Sequence, residues 1–379
     1  MAERAEVGLL ALAGPADLQR ATAGVPRPWH YFRLLPHLDV AARRHRPGHR
    51  LRMLWHWLRL PLVAAKHWQP ALPGAIDRAL AEFRPDVVFV EMAQMAQYLR
   101  WLRGVPTVLT DHEAGVPANT RTGLGRFGDA RDRRLWQRYL QRSYPLATAL
   151  QAVTAEDAAT LSAWFHRPVA ARKPLVPVAT KPVDVRAAPP HALFLGDYAH
   201  GPNPEAARAI VHTIWPQVRA AVPAAELWFA GQHQDRIADL TAVPGVRLLG
   251  FVPDLGALCA GVRLMLAPIY SGSGVRTKCI AALAHGVPVV TNALGARGCT
   301  APREACRIAE DPAALAALAI EWLTDGERAA RAGAAAHRWA GENVDAAAIA
   351  RSQLALAEAA VRQFGAAAPR PQALPAGTP

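Results

Sequence analysis

The chain has 379 residues, 51% of them apolar and 19% charged. That is more than one ordinary hydrophobic core supports, so two compact domains are expected and a disordered chain is excluded. The formal charge of +13 invites a nucleic-acid partner, but residues 1–190 hold 27 Lys+Arg against 15 Asp+Glu, and residues 191–379 hold 16 against 15. The charge is therefore a property of the first half. No aromatic-rich RNA motif or recognition helix accompanies it, so no nucleic-acid partner is expected. No run reaches the ~18 apolar residues that a membrane span needs, and residues 1–10 carry acidic residues where a secretory leader is basic, which predicts a cytoplasmic protein. Cys259, Cys279, Cys299 and Cys306 form no C-x-x-C pair, so neither a disulfide framework nor a zinc site is indicated.

Short β-rich apolar runs alternate with longer helical patterns, which predicts an α/β chain with parallel sheets covered by helices. In the first half, strands are expected at 6–13, 86–90, 107–110 and 149–153, with helices at 74–83, 92–102, 131–142 and 156–164. Residues 168–190 contain six prolines and lose periodicity, which places a hinge there. The alternation restarts with a strand at 192–195 and a helix at 204–222. Further strands are expected at 226–230, 246–249, 264–267, 288–291 and 307–309, and helices at 255–260, 275–285, 312–324 and 326–339. The expected organisation is two Rossmann-like domains facing across a cleft, over 1–180 and 181–344, then a helix at 345–364 and a disordered tail at 365–379.

The loop Ser271-Gly272-Ser273-Gly274 follows the 264–267 strand and opens the 275–285 helix. Backbone amides without side chains and a helix N-terminus make such a turn an anion site. Arg276 and Lys278 fall in the first turn, where positive charge opposes the helix dipole unless an anion is bound. A diphosphate leaving group held by Ser273, Gly274, Arg276 and Lys278 is the functional reading, and a solvated helix face the alternative. A dinucleotide fingerprint is excluded, because position 277 is Thr and no acidic residue ends a strand near residue 295. In the first half, Asp111-His112-Glu113 follows an apolar strand at the edge where open α/β sheets bind ligands; a surface turn is the competing reading. Glu91 ends a strand in the same layer, as an acceptor contact or a surface cap. Residues 43–69 interleave Arg43, Arg44, Arg46, Arg50, Arg52, Arg59 and Lys66 with Leu51, Leu54, Trp55, Trp57 and Leu58. That pattern suits a helix on an anionic lipid surface, or equally an amphipathic helix packed on its own sheet.

Five segments occur in a telling order: 84–99 (RPDVVFVEMAQMAQYL), 108–113 (VLTDHE), 194–206 (FLGDYAHGPNPEA) and 249–254 (LGFVPD), then 267–291 with APIYSGSGVRTK and LAHGVPVVT. Together they resemble the group 1 (family 4) retaining glycosyltransferases of the GT-B fold, in the exopolysaccharide-associated branch. The resemblance spans roughly residues 6–360. It implies transfer of a sugar from a nucleoside diphosphate donor to a glycan or lipid-linked acceptor, in surface polysaccharide synthesis, with no metal and no cofactor beyond the donor. It implies a base contact at Val252, in a loop where Asp254 also suits a helix N-cap. It places His112 at the transferred sugar or acceptor, with Glu91, Asp111 and Glu113 on the acceptor side. Many relatives act on lipid-linked acceptors, which makes an anionic membrane surface a partner for residues 43–69 and places the protein at the inner face of the cytoplasmic membrane.

Two positions depart from the family pattern. Three residues after the helix lysine, relatives carry a glutamate for the ribose hydroxyls where this chain has Ala281, and the position eight residues before that is Ser273. Loss of such a charge-assisted hydrogen bond, worth about 1.5–3 kcal/mol, weakens the donor site without removing it. The segment 5–13 resembles the second strand of the acceptor domain, so the first strand, its glycine-rich loop and first helix are expected to be missing: either the true start lies upstream or the chain is a shortened variant. These departures also sustain an alternative, a catalytically impaired scaffold or partner protein of the same fold.

Overall fold

The computed structural model describes residues 5–14, 18, 29–37, 47–114, 125–172, 174–272, 274–344 and 346–367. The chain divides into two units, Met1–Arg172 with Ala350–Pro379, and Lys173–Ile349.

In the first unit the chain runs through β1 (Gly8–Ala13), β2 (Tyr31–Pro36), α1 (Pro47–Trp57), α2 (Leu62–Lys66), α3 (Leu72–Phe83) and β3 (Val88–Glu91). A 3-10 helix (Ala93–Trp101), β4 (Thr107–Asp111), α4 (Gly125–Ser143), β5 (Ala149–Ala152), α5 (Ala155–Phe165) and β6 (Val169–Ala171) follow. β1 and β2 form a parallel pair, and β3-β4-β5-β6 form a parallel four-stranded sheet. Every residue of β4 is buried, as a central parallel strand covered on both faces requires. Its core gathers Leu99, Leu109, Trp136, Leu140, Tyr144 and Leu161. The register pairs Glu91 with Thr110, Asp111 with Ala152, and Ala152 with Ala171, so Glu91, Asp111 and the residues after β6 emerge at one sheet edge.

The second unit carries β7 (His191–Leu195), α6 (Pro202–Ala209), a π turn (Ile210–Ile214), α7 (Trp215–Ala221), β8 (Glu226–Ala230), a 3-10 segment (Gln234–Ala242), β9 (Val246–Leu248) and α8 (Leu255–Ala260). It continues with β10 (Leu264–Leu266), α9 (Thr277–Ala284), β11 (Val289–Thr291), β12 (Cys306–Ile308), α10 (Pro312–Thr324) and α11 (Gly326–Asn343), and the chain then enters α12 (Ala346–Ala367). Six parallel strands run in the order β12-β11-β10-β7-β8-β9. Phe194, Trp215, Phe229 and Trp322 are fully buried in the core beside them. Both units are thus Rossmann-like, as the alternation of patterns predicts.

Several expectations are corrected. The 204–222 helix is interrupted by the π turn because Pro216 has no N–H to offer the carbonyl of His212. The 92–102 helix is a 3-10 helix entered through Met92 at φ 76°. β2 and the 3-10 segment Gln234–Ala242 were not expected, and β6 occupies part of the proline-rich stretch that lacks periodicity. The helix expected at 275–285 begins only at Thr277, which puts Arg276 at its N-cap and Lys278 inside the first turn. Gly274 at φ 79° keeps the chain from entering the helix earlier. The tail beyond 367, residues 43–46 and Ser273 lie outside the described residues.

Candidate functional site

In the second unit, a cavity of about 480 Å³ opens at the C-terminal ends of β7 and β10, lined among others by Asp197, His200, Asn203, Arg276, Lys278 and Ala281. The starts of α6 and α9 both meet it, since Pro202 and Thr277 are among its walls. The first turn of α9 faces this space with its backbone amides, whereas α6 adds none, because Pro202 and Pro204 have no N–H and Asn203 and Glu205 donate to His200 O and Gly201 O. Gly272 forms the rim of the same loop: its φ is 91°, and an added Cβ would stand 3.1 Å from the Pro202 ring. A side chain here would be strained and crowded at once.

Lys278 reaches across the cavity wall. Its Nζ donates to Asn203 Oδ1 at 2.5 Å and lies 4.2 Å from the centre of the Phe194 ring. Burial pushes its ammonium down to about 8, with the Arg276 charge adding to the effect. Arg276 is buried and holds the loop together: Nη2 donates to Gly272 O at 2.8 Å and Nε to Leu294 O at 3.3 Å, while its N–H donates to Arg297 O. Asn203 is fixed in turn, its Nδ2 donating to Asp197 O at 2.8 Å. Ala281 is part of the same wall.

A second cavity of about 340 Å³ shares the wall residues Leu195, Gly196 and Asp197 with the first, so the two adjoin. Its other walls are Ala230, Gly231, Gln232, Phe251, Val252, Leu255 and Leu258. A cation-lined compartment thus stands beside a mostly apolar one. Val252 lines the apolar compartment, and Asp254 caps α8 by accepting from Ala257 N, as the N-cap reading of the 250–254 loop expects. Asp197 stands at the junction, paired with His233 Nδ1 at 2.8 Å. The hydrogen bond from Ala199 N and the His233 contact outweigh its slight burial and hold its carboxyl below the usual range.

In the first unit, His112, Glu91, Asp111 and Glu113 share the edge of the four-stranded sheet. His112 Nε2 lies 2.8 Å from Glu91 Oε2, and Arg172 Nη1 donates to Glu91 Oε1 at 3.0 Å. Burial works against the Glu91 charge, yet His112 and Arg172 outweigh it and hold this carboxyl below the usual carboxylate range. An ionised carboxylate only accepts, so His112 Nε2 carries a proton and Nδ1 is the ring atom that can face a ligand. Asp111 is buried, accepting from Glu113 N at 2.8 Å and Tyr144 Oη at 2.6 Å; it braces the turn that carries His112 and Glu113. Among the described residues no three His, Cys, Asp or Glu side chains gather as a metal site, and no helix is long and apolar enough to cross a membrane.

The sequence reading assigned no role to Asp197, His200, Asn203 or Arg172. The first three stand inside the quoted segment 194–206, which was the available signal; nothing local marks Arg172, which meets Glu91 across 81 positions.

Residues 189–325 match the family model described as glycosyl transferases group 1. No curated protein matches the chain. Among solved structures, the fold is shared with sucrose-phosphate synthase from Thermosynechococcus elongatus, at TM-score 0.62 and 18% identity, covering 96% of each chain. It is shared with Anabaena HepE in complex with UDP and glucose, at TM-score 0.60 and 14% identity, over 92% of this chain and 91% of that one. S. aureus TarM, solved as a mutant with fondaparinux, alpha-GlcNAc-glycerol and UDP, matches at TM-score 0.56 and 12% identity over 70% of this chain, which spans only 54% of TarM's length. The two-unit fold is thus that of known glycosyltransferase structures, and the unit holding both cavities is the one whose residues 189–325 match the group 1 glycosyltransferase model.

Proposed function

We propose that the chain is a metal-independent, retaining glycosyltransferase that moves a sugar from a nucleoside diphosphate donor to a glycan or lipid-linked acceptor in surface polysaccharide synthesis. The observation that carries this reading is the pair of adjoining cavities, in which Arg276 and Lys278 line one compartment and Val252 the other. The diphosphate lies against Lys278, the Gly274 and Ser273 amides and the α9 N-terminus, with Arg276 stiffening the loop. The base enters beside Val252. As the bond from the sugar C1 to the β-phosphate oxygen breaks, negative charge grows on the departing diphosphate. Fixed donors aimed there favour the transition state over the ground state. Arginine, lysine and amides supply this neutralisation, and no Asp-x-Asp pair stands near the loop for a cation.

His112 acts at the transferred sugar or the acceptor, its ring oriented by Glu91; Asp111 and Glu113 shape the acceptor side. The protein works at the cytoplasmic face of the membrane, with residues 43–69 against its anionic surface.

Ala281 in the cavity wall favours a second reading, an impaired relative that binds nucleotide and serves as a scaffold. Calorimetry with UDP and GDP, joined to turnover of a labelled donor, separates the two. Binding with transfer supports the enzyme and binding without transfer the scaffold; absence of binding for both nucleotides overturns the site itself.

A further inference from the structure

The helix α1 has two apolar stripes rather than one. Met53, His56, Trp57 and Leu60 are partly buried. Trp57 Nε1 donates to the buried Asp132 at 3.0 Å, Leu62 N donates to the same oxygen at 2.7 Å, and Trp68 stands against His56. This stripe is how α1 is held to its own unit. Among the described residues, no side chain of another element is recorded packing on the apolar side chains of the other stripe. Leu51, Leu54, Trp55 and Leu58 repeat at positions i, i+3, i+4 and i+7, and they are exposed by 70%, 50%, 51% and 56%. Leu58 N donates to Leu54 O, so the helical path continues through this last member. An amphipathic helix packed only on its own sheet would leave a polar face outward.

A second element joins this face. Arg131 of α4 lies 4.3 Å over the Trp57 ring and donates to the carbonyls of Trp57 and Leu58 at 3.0 and 3.3 Å. Phe127, one turn earlier on α4, is 94% exposed, beside the exposed Arg126. Charge sorts the occupant. Residues 47–66 hold four basic residues and no acidic one, and residues 125–134 hold four arginines against two aspartates, of which Asp132 is buried. On the helical wheel, at about 100° per residue, Arg50 and Arg52 flank the exposed stripe on opposite sides. The Arg59 guanidinium lies 4.5 Å over the Trp55 ring. Leucine, tryptophan and phenylalanine bordered by arginine fit the boundary between acyl chains and anionic headgroups.

We infer that the first unit has a composite lipid-docking face, made by the Leu51/Leu54/Trp55/Leu58 stripe of α1 and by Phe127 of α4, which inserts into an anionic bilayer while Arg59 and Arg126 meet its headgroups. The inference rests on the membrane-surface part of the proposed function and adds both the depth-setting residues and the second element.

The test is co-sedimentation of the full chain with phosphatidylcholine vesicles and with equimolar phosphatidylcholine and phosphatidylglycerol vesicles. Binding to the anionic vesicles only is expected. Leu54→Ser/Trp55→Ser and, separately, Phe127→Ser are each expected to lower partitioning at least tenfold. Arg59→Gln/Arg126→Gln is expected to lower it about 25-fold, since each basic residue at an anionic surface is worth about 1 kcal/mol. Circular dichroism and thermal melts of the same variants should match the parent, which shows that the first unit folds, and unchanged UDP calorimetry, which reads the second unit, separates a failure here from a failure of the donor site. Equal binding to both vesicle types, or a Phe127→Ser variant that binds as the parent does, overturns the proposal. So does sedimentation of the parent as a dimer that the apolar substitutions convert to monomer without any vesicle binding, because the face would then belong to a second copy of the chain.

Discussion

Lys278 Nζ and Asn203 Oδ1 stand 2.5 Å apart, joining the first turn of α9 to the first turn of α6 across the larger cavity. Asn203 cannot neutralise the ammonium, so burial dominates and Lys278 is held near 8, well below an exposed lysine. A diphosphate would supply the missing countercharge. UDP or GDP affinity is therefore expected to fall as pH rises through about 8. Lys278→Met should bind about ten- to a hundredfold more weakly at neutral pH and lose the alkaline limb, since a hydrogen bond to a charged group is worth about 1.5–3 kcal/mol. Stability runs the other way. Between about 8 and 10.5 the unfolded chain binds the proton that the folded chain has released, so the nucleotide-free protein should gain stability with pH in that window, and the methionine variant should not. Calorimetry and denaturant melts at several pH values check both limbs.

Asn203→Asp places a carboxylate where the amide oxygen now stands. An opposite charge in contact favours the ammonium, so the alkaline limb of binding should move upward from about 8. At pH 7 the same substitution should weaken UDP binding, because the new charge faces the phosphates. A binding limb that stays in place would show that Lys278 is not the titrating group.

These relationships mark how far the residues alone can be read. The Gly272-x-Gly274 turn with Arg276 and Lys278 is legible because loop, helix start and cations are contiguous in the chain. The partners of those cations are not: Asn203 meets Lys278 across 75 positions, and only the pairing of β7 with β10 brings their loops together. Arg276 shows the same limit. Its first-turn position suggests a ligand contact, whereas its hydrogen bonds run to the carbonyls of Gly272 and Leu294 and make it a brace of the loop. In the fold, strands bordered by glycine and proline were legible to within a residue or two. β2 was not, because its YFRLLP run lacks the alternation that marks a half-buried strand. The π turn was not, because nothing in the period of an apolar helix announces how the chain absorbs Pro216.

At the edge of the four-stranded sheet, Glu91 accepts from His112, Arg172 and Thr110. Its carboxyl titrates below 4.5, so its stabilising contribution is present above that pH and is lost as pH falls through its folded value. Glu91→Gln should cost less than about 1 kcal/mol at pH 7, because the side chain is 44% exposed and solvent screens its pairs. The difference from the parent should shrink as pH falls through the lowered folded value. Activity should respond more than stability: without the carboxylate, nothing fixes the proton on His112 Nε2. Turnover of a labelled donor should fall at least tenfold with little change in UDP affinity. A loss of UDP affinity equal to the loss of turnover would remove His112 and Glu91 from the chemistry.

Ala281 leaves the larger cavity without the acidic group that the resemblance places there. Ala281→Glu is expected to raise affinity for UDP about tenfold through a charge-assisted hydrogen bond to a ribose hydroxyl. The part of the gain that comes from the ribose should be absent for the 2′,3′-dideoxy nucleotide, which offers no hydroxyl to either form of the site. The new carboxylate also enters the field of Lys278, so part of the gain should appear as an upward move of the alkaline limb. The dideoxy nucleotide separates these effects, because it reports the electrostatic part alone. An equal loss of affinity for both nucleotides would place position 281 beside the phosphates rather than the sugar, and would reverse the orientation of the donor in the paired cavity.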